Sequence, residues 1–344
     1  MTRPARARTF GLACGQLPTG ELNSLADVPG VRIGHHTRIE GEIRTGVTAI
    51  VPHGGNLYRK KLVAAVDVLN GFGKSAGLVQ VEELGTIETP ILLTNTLSVG
   101  TCCTALVRHA IEHNPDIGRR TATVNPVVFE CNDGYLNDIQ ALAVTEDDAR
   151  AALDNASTQV QVGSVGAGCG MSTFGFKGGI GTSSRRITFD GTGYHFGVLV
   201  LSNFGRAGDL RLPDGRVVAP PKAPADQKAP EKGSIIIIAA TDIPLSDRQL
   251  KRVIRRSGVG LARLGSFWGH GSGDIALGFT TANMLSHDET SALVDLRILN
   301  EERIDLLFEA MADATQEAVL DALVAAGSMT GRSGHYRPAL VDVL

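Results

Sequence analysis

The chemistry of this chain can be argued from a serine at the head of an unbroken isoleucine run. Gly233-Ser234 precedes Ile235-Ile236-Ile237-Ile238. Four isoleucines in a row cannot alternate in and out, so they predict a strand buried on both faces, with Ser234 at its mouth. Three other segments carry complementary groups. His270-Gly271-Ser272-Gly273-Asp274 leads into a second predicted strand. In an extended chain, residues two apart point to one face, so the Ser272 hydroxyl and the Asp274 carboxylate can share a hydrogen bond. Ser202-Asn203-Phe204-Gly205 closes a third strand, where the Asn203 amide can donate to an oxyanion. Glu130-Cys131-Asn132-Asp133-Gly134-Tyr135 closes a fourth, where Glu130 can bind a substrate ammonium or simply sit at the surface. Taken singly, each segment also reads as an ordinary turn or strand end.

Other candidate motifs fail on spacing. Gly71-Phe72-Gly73-Lys74-Ser75 ends like a phosphate loop, but its first glycine would fall at Val68, which leaves a turn after a helix. Gly163 to Gly170 is glycine-dense, yet Met171 breaks the dinucleotide pattern. His109 and His113 stand four apart, but Ala110 replaces the glutamate of a zinc protease, so they read as a surface pair. Cys102-Cys103 reads as inert core.

The elements that must position these residues follow from periodicity. Strands are expected over Val31–Gly34, Gly46–Val51 and Pro90–Leu93, in the β-rich Thr121–Phe129, and over Gln159–Val165, Ile187–Leu201 and Ile275–Thr281. Lys61–Leu69 reads as a short helix and Val99–His113 as an amphipathic one. Thr145 with Asp148, and Ser246 with Gln249, form capping-box patterns that open helices over Glu146–Leu153 and up to about Leu264. Glu301–Ala326 is a long helix ending at Gly327. Leu212 to Lys232 holds five prolines and few large apolar residues, which predicts an exposed extended linker. Helices packed outside sheets, a mixed α+β architecture, are the expectation.

Composition narrows the class. The 344 residues are 43% hydrophobic and 20% charged, with 33 basic against 36 acidic side chains, which excludes extensive disorder and argues against a basic nucleic-acid binder. The 41 glycines follow no Gly-X-Y period and read as turns and close approaches. Five cysteines without a Cys-x-x-Cys pair suggest reduced thiols in a cytoplasm. Arg3, Arg6 and Arg8 are not followed by the apolar stretch of a signal peptide, and no run reaches the ~20 apolar residues of a membrane helix.

Laid end to end, the segments resemble the DmpA/BapA-type family of self-processing aminopeptidases, the L-aminopeptidase D-amidase/D-esterases and β-peptidyl aminopeptidases. Asn23–Gly34, Thr45–Thr48, Gly77–Gly100, Pro126–Asp138, Gly163–Gly181 and Gly269–Asp274 carry the likeness in order over almost the whole chain. The resemblance implies a four-layer αββα sandwich, a single large domain made of two autoprocessed chains, similar to ornithine acetyltransferases. It places autocleavage between Gly233 and Ser234, giving an α chain of 1–233 and a β chain of 234–344. Ser234 would then be an N-terminal nucleophile whose own α-amine serves as base. Ser272 and Asp274 (glutamate in some members) would orient and polarise Ser234 and its amine, and Asn203 would line the oxyanion hole. Glu130 would pair with the substrate ammonium. Asn132 sits in the substrate-binding segment, where other members can have an aromatic hydroxyl, and the Gly163–Gly170 run would line the pocket. The implied substrate is a small peptide, amide or ester with a free amine. Neither metal nor cofactor, nucleic acid nor membrane is implied, and a homo-oligomer, often a tetramer, is. Two other readings accompany it. One is an acyltransferase of the ornithine acetyltransferase type, which Ser234 disfavours because those enzymes use threonine. The other is a catalytically inactive oligomeric binding relative.

Overall fold

The computed structural model describes residues 6–221 and 232–344. Ten strands, numbered in chain order, build two sheets. β1 (Arg32–Glu40), β2 (Ile43–Val51), β5 (Ile91–Asn95) and β6 (Val127–Cys131) lie in that spatial order. The larger sheet holds β3 (Lys60–Gly71), β4 (Thr86–Ile87), β7 (Gly179–Phe189), β8 (Thr192–Asn203), β9 (Lys232–Thr241) and β10 (Gly271–Ser286), ordered β4-β3-β10-β9-β8-β7. Within it only β9 and β10 run parallel.

Helices α1 (Val99–His113) and α2 (Glu146–Asp154) cover the smaller sheet, and α3 (Asp247–Ile254), α4 (Ser257–Arg263) and α5 (Asp305–Ala325) cover the larger. The isoleucine run explains the layering. Ile235 and Ile237 pack with Leu250, Leu261 and Leu320 of the helices. Ile236 and Ile238 pack with Ile50, Leu93 and Phe129 of the facing sheet. All four are fully buried, and each contributes about 1.5–3 kcal/mol of apolar burial. The result is the expected αββα sandwich.

Several local expectations change. Lys61–Leu69 is not a helix but part of β3: its Val and Ala residues pair with β10, and that tertiary ladder overrides any helical tendency. The single strand expected over Ile187–Leu201 is a hairpin of β7 and β8. Asp190 and Gly191 make its turn at φ 48° and 81°, the left-handed pair that a twisted two-residue connection needs. Gln159–Val165 forms no strand, and Gly163 makes only an isolated bridge to Ile180. Of Thr121–Phe129 only the end joins β6. The helix after Ser246 keeps its capping box but breaks at Arg255–Arg256 into α3 and α4. Residues 212–221, expected as extended linker, take part in a small hairpin in which Leu210–Arg211 pairs with Val217–Val218. Residues 222–231 of that segment lie outside the described residues.

Candidate active site

Ser234 stands near the start of β9, between β8 and β10. Asn203 is its antiparallel partner on one side. On the other, Gly233 faces Ser272 and Ser234 faces Gly273. Gly233 has φ 148°, and a Cβ there would collide with the Asn203 carbonyl oxygen, so this junction requires glycine. Ser234 is only 3% exposed, yet it lines a cavity of about 1090 Å³ together with Gly233, Glu130, Asn132 and Asn203. Its Oγ makes no hydrogen bond of ordinary geometry. The polar group beside it is the fully buried Cys131 thiol, which burial holds protonated well above its ordinary value.

Alternation along the strands sorts the remaining groups. Ser234 shares the inter-sheet face with Ile236 and Ile238. Ser272 and Asp274 share the face of Ala276, which packs on the helix side. The two are both buried, and the Ser272 hydroxyl donates to Asp274 Oδ1 at 2.6 Å. The expected pairing of these side chains is thus present, on the face of the sheet away from the Ser234 hydroxyl. Across the ladder on β9, Ser272 is paired with Gly233 and Asp274 with Ile235.

Glu130 comes from β6 of the facing sheet. Its Oε1 accepts the Lys74 N–H at 2.8 Å and its Oε2 accepts the Thr96 hydroxyl. A carboxylate has about four acceptor positions, so this grip leaves capacity for a substrate cation. Asn203 is held at both ends of its amide: Oδ1 accepts the Ser172 N–H and Nδ2 donates to the Asn132 carbonyl, each at 2.9 Å. One Nδ2 hydrogen remains uncommitted. Asn132 spends its side-chain oxygen on the Gly134 N–H, and its backbone carbonyl is what serves the site.

Lys74, Thr96, Ser172 and Arg337 belong to the site and were not singled out as functional from sequence. Lys74 lies in the Gly71–Ser75 turn, where it and Phe72 form cavity wall, while Thr96 and Ser172 lie in the Gly77–Gly100 and Gly163–Gly181 segments that carry the family likeness. The Gly163–Gly170 run does not line the cavity, contrary to expectation: Gly166 is wedged against Thr48 and His35, where no Cβ would fit. His109 and His113 lie with their ring centroids 4.5 Å apart and their planes tilted by 47° on α1, outside the site. Burial pushes the Cys102 thiol up to about 12, as inert core requires. Beneath the cavity loop, burial pushes Asp133 up to about 7 against the donors Thr45 and Asn137, and brings Lys177 down to about 7. The Lys177 ammonium donates to the carbonyls of Gly168 and Gly178. Among the described residues, no group of three or more His, Cys, Asp or Glu is placed to hold a metal ion.

A serine hydroxyl opening a central strand, with a carboxylate across the cavity and an amide donor beside it, set between two helix-covered sheets, defines a serine hydrolase of the N-terminal-nucleophile class. Peptidase family S58 matches residues 23–337, and the chain belongs to that family. The β-peptidyl aminopeptidase BapA of Sphingosinicella microcystinivorans is 37% identical over 96% of this chain and 88% of its own length. The solved PH0078 protein of Pyrococcus horikoshii superposes with a TM-score of 0.90 at 44% identity, covering 98% of this chain and 96% of that one. The L-aminopeptidase D-Ala-esterase/amidase of Ochrobactrum anthropi, a variant of the Ntn hydrolase fold, does so at 0.89 and 37% identity with the same coverage.

Proposed function

We propose that the chain is a self-processing serine aminopeptidase and amidase that removes the N-terminal residue from short peptides, amides or esters. The observation that carries this reading is that Ser234, behind a glycine in a left-handed conformation, lines one cavity with Glu130. Processing begins when Ser234 Oγ attacks the Gly233 carbonyl carbon. The Gly233–Ser234 C–N bond breaks, the nitrogen gains a proton, and the resulting ester is hydrolysed by water. The products are an α chain of 1–233 and a β chain of 234–344 that stay in one domain. The new α-amine, with an ordinary pKa of roughly 7.7–8.0, is partly neutral near pH 7 and can act as base.

In turnover, Glu130 holds the substrate ammonium and Ser234 Oγ attacks the first carbonyl carbon, giving its proton to its own α-amine. The Asn203 amide donates to the oxyanion. The amine then protonates the leaving nitrogen, and water releases the acyl group from Ser234. Ser272 and Asp274, beside the β9 backbone, hold the α-amine rather than the hydroxyl.

Self-assembly is part of the proposal. Residues 288–299 form an irregular surface segment in which Leu293, Val294, Leu296 and Ile298 are exposed, apolar side chains suited to contact with a second copy of the chain. Light scattering that gives a monomer mass would remove this part. All five cysteines are free, which supports a reducing, cytoplasmic location. Among the described residues, no helix is long and apolar enough to cross a membrane.

Intact mass and alanine p-nitroanilide turnover test the enzyme reading together. The wild-type chain is expected as two fragments and active. Ser234→Ala is expected as one chain, with turnover lower by at least about 10⁴-fold. An uncleaved Ser234→Ala chain that keeps full activity overturns it.

A further inference from the structure

The cavity is charged unevenly. Among the described residues, its wall carries one carboxylate, Glu130, and three cations, Lys74, Arg206 and Arg337. Arg206 is neutralised by Asp209 at 2.8 Å. Lys74 stands on the Glu130 side, since its own N–H holds that carboxylate, and its ammonium turns to the Phe72 carbonyl and ring. Arg337 has no carboxylate partner among the described residues.

Arg337 is nevertheless held in place. Its guanidinium lies 3.5 Å over the Tyr135 ring, and its Nε donates to Ser172 Oγ at 3.1 Å. The Ser172 backbone N–H in turn binds Asn203, the cross-strand neighbour of Ser234. A guanidinium stacked on a ring and tethered through Nε keeps its Nη edge for a bidentate acceptor. Burial disfavours its charge, the Tyr135 side chain offsets part of that, and with no carboxylate partner among the described residues an anion from outside would offset more.

We propose that Arg337 binds the free C-terminal carboxylate of the substrate's leaving portion, so that the preferred substrates are short zwitterionic peptides, dipeptides first, gripped at the ammonium by Glu130 and at the carboxylate by Arg337. This rests on the aminopeptidase reading above and adds its substrate class. Longer peptides carry the carboxylate beyond the fork, and amides or anilides lack it.

The test compares one dipeptide with its C-terminal amide, with alanine p-nitroanilide as the reference for aminopeptidase activity. The wild-type enzyme is expected to favour the free acid by about tenfold or more in kcat/KM, mainly through KM. Arg337→Gln brings the acid-to-amide ratio to near one, and Arg337→Lys, which keeps the charge without the fork, gives an intermediate ratio. The wild-type comparison needs no variant, so a folding defect cannot obscure it. Turnover of the anilide with equal handling of acid and amide overturns the carboxylate proposal and leaves the aminopeptidase reading standing. So does an unchanged ratio in well-folded Arg337→Gln. No turnover of any of the three substrates by wild-type enzyme overturns both.

Discussion

Two carboxylates flank Ser234 from opposite faces of the larger sheet. Glu130 approaches from the facing sheet, lines the cavity, and is gripped by a backbone N–H and a hydroxyl. Asp274 lies on the helix side, does not line the cavity, and takes the Ser272 hydroxyl at 2.6 Å. Both are almost completely buried. The difference lies in what each can meet. Glu130 faces the cavity that a substrate would enter, whereas Asp274 lies off it, bonded to Ser272 and paired in register with Ile235 of β9. In the proposed mechanism one acid serves recognition, and the other serves the generation and upkeep of the base.

The sharpest way to break this comparison is Asp274→Asn, which keeps the volume and removes the charge. If Asp274 holds the α-amine, kcat falls by about 10²–10⁴-fold, KM changes little, and chain cleavage slows, as followed by intact mass over time. A variant that cleaves at the wild-type rate and loses only substrate affinity would place Asp274 with Glu130 instead. Glu130→Gln is expected to be milder. Loss of a charge-assisted contact raises KM for free-amine substrates by about 10- to 100-fold while cleavage proceeds normally. Thr96→Val removes only the hydroxyl that aims Glu130 and should cost about five- to tenfold, again in KM. An effect of Thr96→Val on kcat with KM unchanged would mean that Glu130 takes part in the chemistry as well as in binding.

How much of this arrangement was legible beforehand depends on how local its causes are. The capping boxes at Thr145 and Ser246 and the helix over Val99–His113 are set by neighbours within a few residues, and they stand where expected. β3 was not legible. Lys61–Leu69 is apolar at nearly every position, so no period separates strand from helix, and the partner that decides it, β10, lies some two hundred residues on. Ser234, Asn203 and Glu130 could be singled out because each stands at one end of a recognisable strand. The face on which Ser272 and Asp274 fall needed the β9–β10 register. Thr96 and Ser172 sit in segments of family likeness, but nothing local marks them or Arg337 individually, since a polar residue looks the same whether or not a cavity opens beside it.

A third carboxylate extends the comparison to stability, where the expected effects are smallest. Asp133 lies just beyond β6, three residues after Glu130, but it is fully buried, and burial raises it to about 7 from an ordinary 3.8. Between these values the unfolded chain has lost a proton that the folded chain keeps. Stability from this group therefore falls as pH rises from about 4 to 7. Lys177 nearby works in the other direction. Lowered to about 7 from 10.5, it is neutral in the folded chain and charged in the unfolded one above pH 7, so its contribution rises with pH from 7 towards 10. Melting temperatures measured across this range should respond to each group separately. Asp133→Asn flattens the acid limb and Lys177→Met the alkaline limb, each by several degrees. Both variants should leave the acid-to-amide preference intact, because neither side chain reaches the cavity. If Asp133→Asn instead shifts KM as Glu130→Gln does, the two carboxylates at this end of β6 form one functional unit and the division drawn between them fails.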